Sequence, residues 1–326
     1  MLLTFDKIKE KIENGETLIL AGDEEILKDL PKGNWIGGTI PYFIDNNGGI
    51  FTKEKIFVTE LPEYIKKSEI KSYNENNIKN ITTDASENGF TFLIIPALSN
   101  VHLSYAQNAP NYKNIFLKPI IGWISGIAVE EIGKKTAKTI NGSNKEISDQ
   151  NAIAIHFTLE TNKIAKIGIV NIFKQGNGDT ITFEKESFSA SECLINGAKT
   201  NFADYLLQNK IDTKMPLVAD YSGAMINVSF QSINEKEKIV NFYAPVFKDV
   251  EYKIAAPISD YVKAFDNSIS KTNVKSPVFS CNCILNYLYG GLENKKTLNL
   301  YGPITFGEIA YQLLNQTLVY LEIIDN

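Results

Sequence analysis

The chain contains no arginine: all 33 of its basic residues are lysine. Without a planar guanidinium fork it lacks the usual side chain for a bidentate grip on phosphate, carboxylate or a guanine edge. A nucleotide hydrolase and a reader of DNA sequence are therefore disfavoured. The net charge of −5 at pH 7 points the same way, because nucleic-acid affinity comes mainly from neutralised phosphates. An AT-rich genome that spells arginine as lysine would account for the bias equally well.

Cysteine and histidine are scarce too. Three cysteines, an odd number, make no disulfide framework in a chain of 326 residues. Cys281 and Cys283 with the distant Cys193 have the wrong spacing for a zinc ribbon, so no metal is expected. Long hydrophobic runs are missing: residues 92–98 and 119–129 are the longest and fall short of a bilayer span. The opening Met1-Leu2-Leu3-Thr4-Phe5-Asp6 has neither a basic leader nor an apolar one. A cytoplasmic protein without membrane or nucleic-acid partners is expected. No G-x-S-x-G, P-loop, H-E-x-x-H or EF-hand loop occurs. Gly176-Asn177-Gly178-Asp179 leads into a strand where a dinucleotide fingerprint needs a helix, and no cofactor is expected.

What is present reads as a globular chain rich in strands, 44% hydrophobic and 22% charged. Phe5, Ile8 and Ile12 recur at helical spacing. Residues 17–21, 34–40, 90–96, 152–159 and 164–173 read as strands, and 160–163 as the turn joining the last two into an antiparallel pair. Asn46-Asn47-Gly48-Gly49 signals a hairpin. The polar regions 68–88 and 139–150 read as exposed loops. Helices are expected at 201–208, 259–265 and 284–288, the last capped by Gly290-Gly291. The character restarts after Lys210. The expected fold is α/β (α+β), two mixed-sheet halves with helices packed on the sheets, divided as 1–210 and 211–326.

Two glycine segments stand beside the only two tryptophans: Trp35, Gly37, Gly38 and Thr39, then Trp123, Ser125 and Gly126. Glycine at a strand end lets a ligand approach the backbone, and Thr or Ser adds a hydrogen bond. The plainer alternative is turn glycines with tryptophans in the core. Cys281, before a helix, is either a thiol of lowered pKa or a small buried hydrophobe. His102 is placed in a loop. His156 falls on the strand face opposite Ile153, Ile155 and Phe157. Both histidines read as structural or surface residues, so no catalytic residue is assigned. A thiol enzyme pairing Cys281 with a histidine stays open as the alternative function, as does a scaffold subunit.

The closing segment carries the most information. Gly302, Thr305, Phe306, Gly307, Glu308, Ile309, Asn315, Gln316 and Thr317 match the pattern that ends the FIST domain, a bacterial sensory domain, and the chain resembles that family here. FIST domains also have glycine-rich strand ends facing a proposed ligand pocket and an aromatic-x-Cys step that Cys281 matches. Trp123-Ile124 stands where the pattern has smaller residues, and Cys283-Ile284 replaces the usual Gly-Arg. The resemblance implies a non-catalytic sensory protein that binds a small molecule, possibly amino-acid-like, and signals to a separate output protein. It implies ligand contact at Trp35, Gly37, Gly38, Thr39, Trp123, Ser125, Gly126, Cys281, Thr305, Gly307 and Glu308. Glu308 itself has two readings: the start of a helix over 310–314, where the dipole favours its charge, or a partner for a ligand ammonium.

Overall fold

The structure, a computed structural model, describes residues 1–221, 223–272, 274, 277–296 and 300–326. Strand makes up 43% and helix 19%, so sheets carry the architecture, and the fold is α/β. An unbroken apolar strand needs cover on both faces, and Gly89–Pro96 obtains it. It lies within a six-stranded sheet ordered Gln312–Leu314, Glu308–Ala310, Ile120–Ser125, Gly89–Pro96, Ala152–Leu159, Ile65–Tyr73. Gly89–Pro96 runs parallel to Ile120–Ser125, and the Asn100–Asn108 helix lies in the crossover between them. Side chains alternate between the two faces of a strand. Phe92 and Ile94 therefore join Trp123 on one side, while Leu93 and Ile95 meet Val101 and Tyr105 of the helix on the other.

A second sheet carries Leu18–Gly22 parallel to Trp35–Thr39. A third joins Lys163–Val170, Leu318–Asp325, Phe279–Cys283, Gly302–Thr305, Tyr42–Asp45 and Gly48–Phe51. All three sheets feed one interior, represented by Ile36, Phe43, Phe92, Trp123, Phe279 and Val319. At about 1.5–3 kcal/mol for each large apolar side chain fully buried, this shared interior is the main cohesive term.

The boundary expected at Lys210 does not separate two cores. Ile181 and Phe202 pack with Leu217 and Phe242 across it, and Ile181–Thr182 pairs with Tyr252–Ile254. The late strands Phe279–Cys283 and Leu318–Asp325 lie in the same sheet as Tyr42–Asp45 and Lys163–Val170. Sequence-distant strands interleave, and Lys210 (φ 52°) merely turns the chain after the Phe202–Gln208 helix.

Other expectations change for related reasons. Ala152–Leu159 pairs with Gly89–Pro96 and Ile65–Tyr73, whereas Lys163–Val170 pairs with Leu318–Asp325. The turn at 160–163 thus changes sheets instead of closing a hairpin. The supposed loop 68–88 includes most of the edge strand Ile65–Tyr73, whose exposed Lys66, Lys67 and Glu69 gave it a loop-like polarity and protect an open edge. The supposed loop 139–150 contains a hairpin, Thr139–Asn141 with Glu146–Ser148. The helix expected over 310–314 is also a hairpin, turning at Tyr311 (φ 65°), because Glu308–Ala310 adds to the edge of Ile120–Ser125. Among the described residues no helix is long and apolar enough to cross a membrane.

Gly122 shows how close the parallel pair lies. A Cβ there would sit 1.7 Å from the Leu93 carbonyl oxygen, whereas at Gly178 it would meet nothing within 4 Å. Gly122→Ala should cost at least about 1–3 kcal/mol in urea unfolding, the range for an overpacked core, and Gly178→Ala almost nothing. Equal midpoints for the two variants would contradict this packing.

Candidate functional site

The residues expected to bind a ligand converge largely as supposed, but inside the protein. The Gly126 N–H donates to the Thr39 carbonyl at 2.7 Å, joining the two glycine segments. Glu308 stands opposite Trp123 across the strand pair, and the Cys281 thiol donates to the Gly122 carbonyl at 3.5 Å. Trp35 is the exception. It packs with Ile8, Ile12 and Leu20 in a separate cluster, and its Nε1 donates to the Pro31 carbonyl at 2.9 Å.

Protein atoms fill the space that the glycines open. A Cβ on Gly38 would strike Ile94 and the Trp123 indole, and one on Gly126 would strike the Phe306 ring. Trp123 itself packs between Phe92 and Phe279, with ring centroids 5.3 and 5.7 Å away. Thr39 is engaged with the Lys138 backbone and Thr305 with the Gly307 carbonyl. Ser125 and Gly307 are buried as well.

Glu308 is fully buried. One carboxyl oxygen, Oε2, accepts the Thr317 N–H at 3.0 Å and the Thr317 hydroxyl at 2.7 Å. The other has no hydrogen-bond partner among the described residues. Burial raises its pKa to about 8 against the opposing pull of the Thr317 and Cys283 bonds, so the neutral acid is favoured inside. Glu308 lies in the strand Glu308–Ala310 and not at a helix start, and as a buried neutral acid it offers no charge to a ligand ammonium. Burial also pushes the Cys281 thiol well above its usual value, and an ionised Glu308 beside it would push the same way. These surroundings oppose the thiolate that a nucleophile requires.

The concave space lies elsewhere, past the carboxyl ends of the parallel strands Gly89–Pro96 and Ile120–Ser125. That is where α/β sheets commonly hold ligands. A cleft of about 390 Å³ is lined there by Leu98, Leu103, Ile127, Ile132, Phe188, Phe242, Tyr243 and Phe306, with His102, Lys135, Asp149 and Gln150 among its polar residues. Its size falls within the range of small-molecule sites, roughly 300–1,000 Å³. None of the expected site residues lines it.

The cleft's histidine is set by a local motif. Ser99 caps the Asn100–Asn108 helix by accepting the His102 N–H at 3.2 Å, and its own hydroxyl donates to the Pro96 carbonyl at 2.7 Å. Leu98 (φ 64°) turns the chain so that its N–H donates to His102 Nδ1 at 3.2 Å. Burial lowers the imidazole's pKa to about 4, so it is neutral near pH 7. A neutral ring that accepts at Nδ1 carries its hydrogen on Nε2. That Nε2 has no hydrogen-bond partner among the described residues. Sequence reasoning placed His102 in a loop and passed over Leu98 and Phe188. The available signal was Pro96-Ala97-Leu98-Ser99, where a buried strand ends in an exposed leucine and a helix cap.

A family model matches residues 3–324. The chain belongs to DUF6976, a family of unknown function. No curated protein matches it. The DUF6976 match covers both the cleft and the buried Glu308 region and carries no information on the FIST resemblance.

The buried acid predicts a pH dependence. A folded pKa raised above the unfolded one adds stability that is complete below the unfolded value and is lost as pH rises through the folded value. For Glu308 that window runs from its ordinary 4.5 to about 8. Wild-type stability should decline across it by a few kcal/mol, and Glu308→Gln should flatten the decline. Parallel pH profiles of urea unfolding for the two proteins would refute the assignment.

Proposed function

We propose that this DUF6976 protein is a non-catalytic binding protein for a small, largely apolar molecule, held in the cleft beyond the parallel strand pair. The observation that carries the reading is the cleft itself: a partly aromatic concavity whose apolar walls are interspersed with polar residues such as His102, Gln150, Gln231 and Asn241, a mixture found in small-molecule sites. Around it Leu98 is 74% and Ile132 53% exposed, apolar surface that a ligand would remove from water.

The sensory half of the proposal draws on the FIST resemblance of the closing segment. On that reading the loaded state is read by a separate output protein, and the place of action is the cytoplasm. The three free, buried cysteines suit a reducing compartment. The same burial disfavours the thiol-enzyme alternative.

Ser189 lines the cleft from the Ser187–Ala190 strand and is only half-buried, so a large side chain there should fill the space without entering a core. The uncharged dye N-phenyl-1-naphthylamine should bind the wild type saturably with enhanced fluorescence. Ser189→Trp should weaken that binding by about tenfold or more, at least 1.4 kcal/mol, with the melting temperature nearly unchanged. Equal binding by both proteins would remove the cleft as the site.

A further inference from the structure

Two kinds of wall meet in the cleft. One is the outer face of a three-stranded sheet ordered Ser187–Ala190, Ile239–Val246, Phe230–Asn234. Asn241 stands opposite Ser189 on one side and Ser232 on the other, so the three side chains share a face. Its neighbours Val240 and Phe242 pack behind the sheet with Phe202 and Leu217, and side chains alternate along a strand. Asn241 and Ser189 are thus turned away from that core. Both line the cleft, together with Gln231, which bulges between Phe230 and Ser232. Gln231 is exposed, and Asn241 and Ser189 are half-buried. The other wall is apolar, with Leu98, Leu103, Ile132 and Phe306.

The polar groups lie at the surface and are only partly engaged. Asn241 Nδ2 donates to the Ser232 hydroxyl at 3.1 Å, which leaves the amide oxygen and a second N–H. Asp149 accepts the Thr136 hydroxyl at 3.1 Å and the Gln150 amide at 3.3 Å. Lys135 already pairs with Glu131 at 2.8 Å. An entering anion would have no donor for Asp149 and would lose its hydration beside that charge, with the cleft's lysine engaged. An entering ammonium would have no acceptor for the amide N–H groups of Gln231 and Asn241. A hydroxyl both donates and accepts without charge, as the side-chain amides do.

Resting on the ligand-binding reading above, we propose that the molecule taken by the cleft is an uncharged amphiphile. Its apolar body lies against Leu98, Leu103 and Phe306, and its head carries two or more hydroxyls that meet Gln231, Asn241 and Ser189.

Four naphthyl ethers with one apolar body and different heads test this: 3-(2-naphthyloxy)propane-1,2-diol, 2-propoxynaphthalene, 2-naphthoxyacetate and 3-(2-naphthyloxy)propylammonium. Each is titrated against the full chain in competition with N-phenyl-1-naphthylamine. The diol should bind at least about fivefold more tightly than the propyl ether, the worth of two weak neutral hydrogen bonds, and more tightly than either ion. Asn241→Leu and, separately, Gln231→Leu remove one amide each. Either variant should cut the diol-to-propyl ratio by roughly twofold to tenfold. Diol binding no tighter than that of the propyl ether, tightest binding of the carboxylate or of the ammonium, or a ratio unmoved in both variants would overturn the head assignment and leave the cleft reading intact. Failure of every naphthyl ether and of the dye to bind would overturn both.

Discussion

The hydrogen bonds between Glu308 and Thr317 tie together parts of the chain that belong to different sheets. Glu308 lies on a short strand added to the edge of Ile120–Ser125, while Thr317 immediately precedes Leu318–Asp325, which is held between Lys163–Val170 and Phe279–Cys283. The residues between them extend the knot. Asn227 donates to the Asn315 carbonyl at 3.0 Å and Ser229 to the Gln316 side chain at 2.7 Å. The Thr317 carbonyl accepts from the Cys283 N–H at 3.2 Å and from Asn286. A buried polar network of this kind rigidifies a core where its members are satisfied. Burial, more than the Thr317 bonds can offset, is why the Glu308 acid prefers to stay protonated.

This knot changes what the closing segment signifies. Gly302, Thr305, Glu308, Asn315, Gln316 and Thr317 are buried, and the bonds among them and their neighbours hold sheets together. Gly302 illustrates the demand: a Cβ there would meet the Ser280 carbonyl oxygen at 1.7 Å. Of the residues that carry the FIST resemblance, Phe306 alone lines the cleft. Its ring covers Gly126.

Much of the fold was legible where one segment's chemistry decides its own structure. The apolar run at 90–96 demanded a doubly covered strand, the spacing of Phe5, Ile8 and Ile12 a helix, and Gly291 (φ 57°) the end of another. Pairing was legible only where a tight turn enforces it, as between Tyr42–Asp45 and Gly48–Phe51. The turn at 160–163 and the five residues 310–314 misled for one reason. Their outcome depends on strands more than 70 residues away in sequence, such as Leu318–Asp325 for the first. The site was missed because glycines and tryptophans look alike in sequence whether a ligand or a side chain occupies the space beside them. His102 differed only through a tautomer set by the Leu98 backbone, which no spacing rule reveals.

Two placements for a ligand follow from these residues: the interior around Trp123 and Glu308, and the cleft bounded by Phe188 and Phe306. Packing fills the first and leaves the second open. The most direct measurement is a crystal structure of the protein soaked with N-phenyl-1-naphthylamine. The account predicts ring density against Phe188 and Phe306. Density beside Trp123 and Glu308, with the cleft empty, would contradict it.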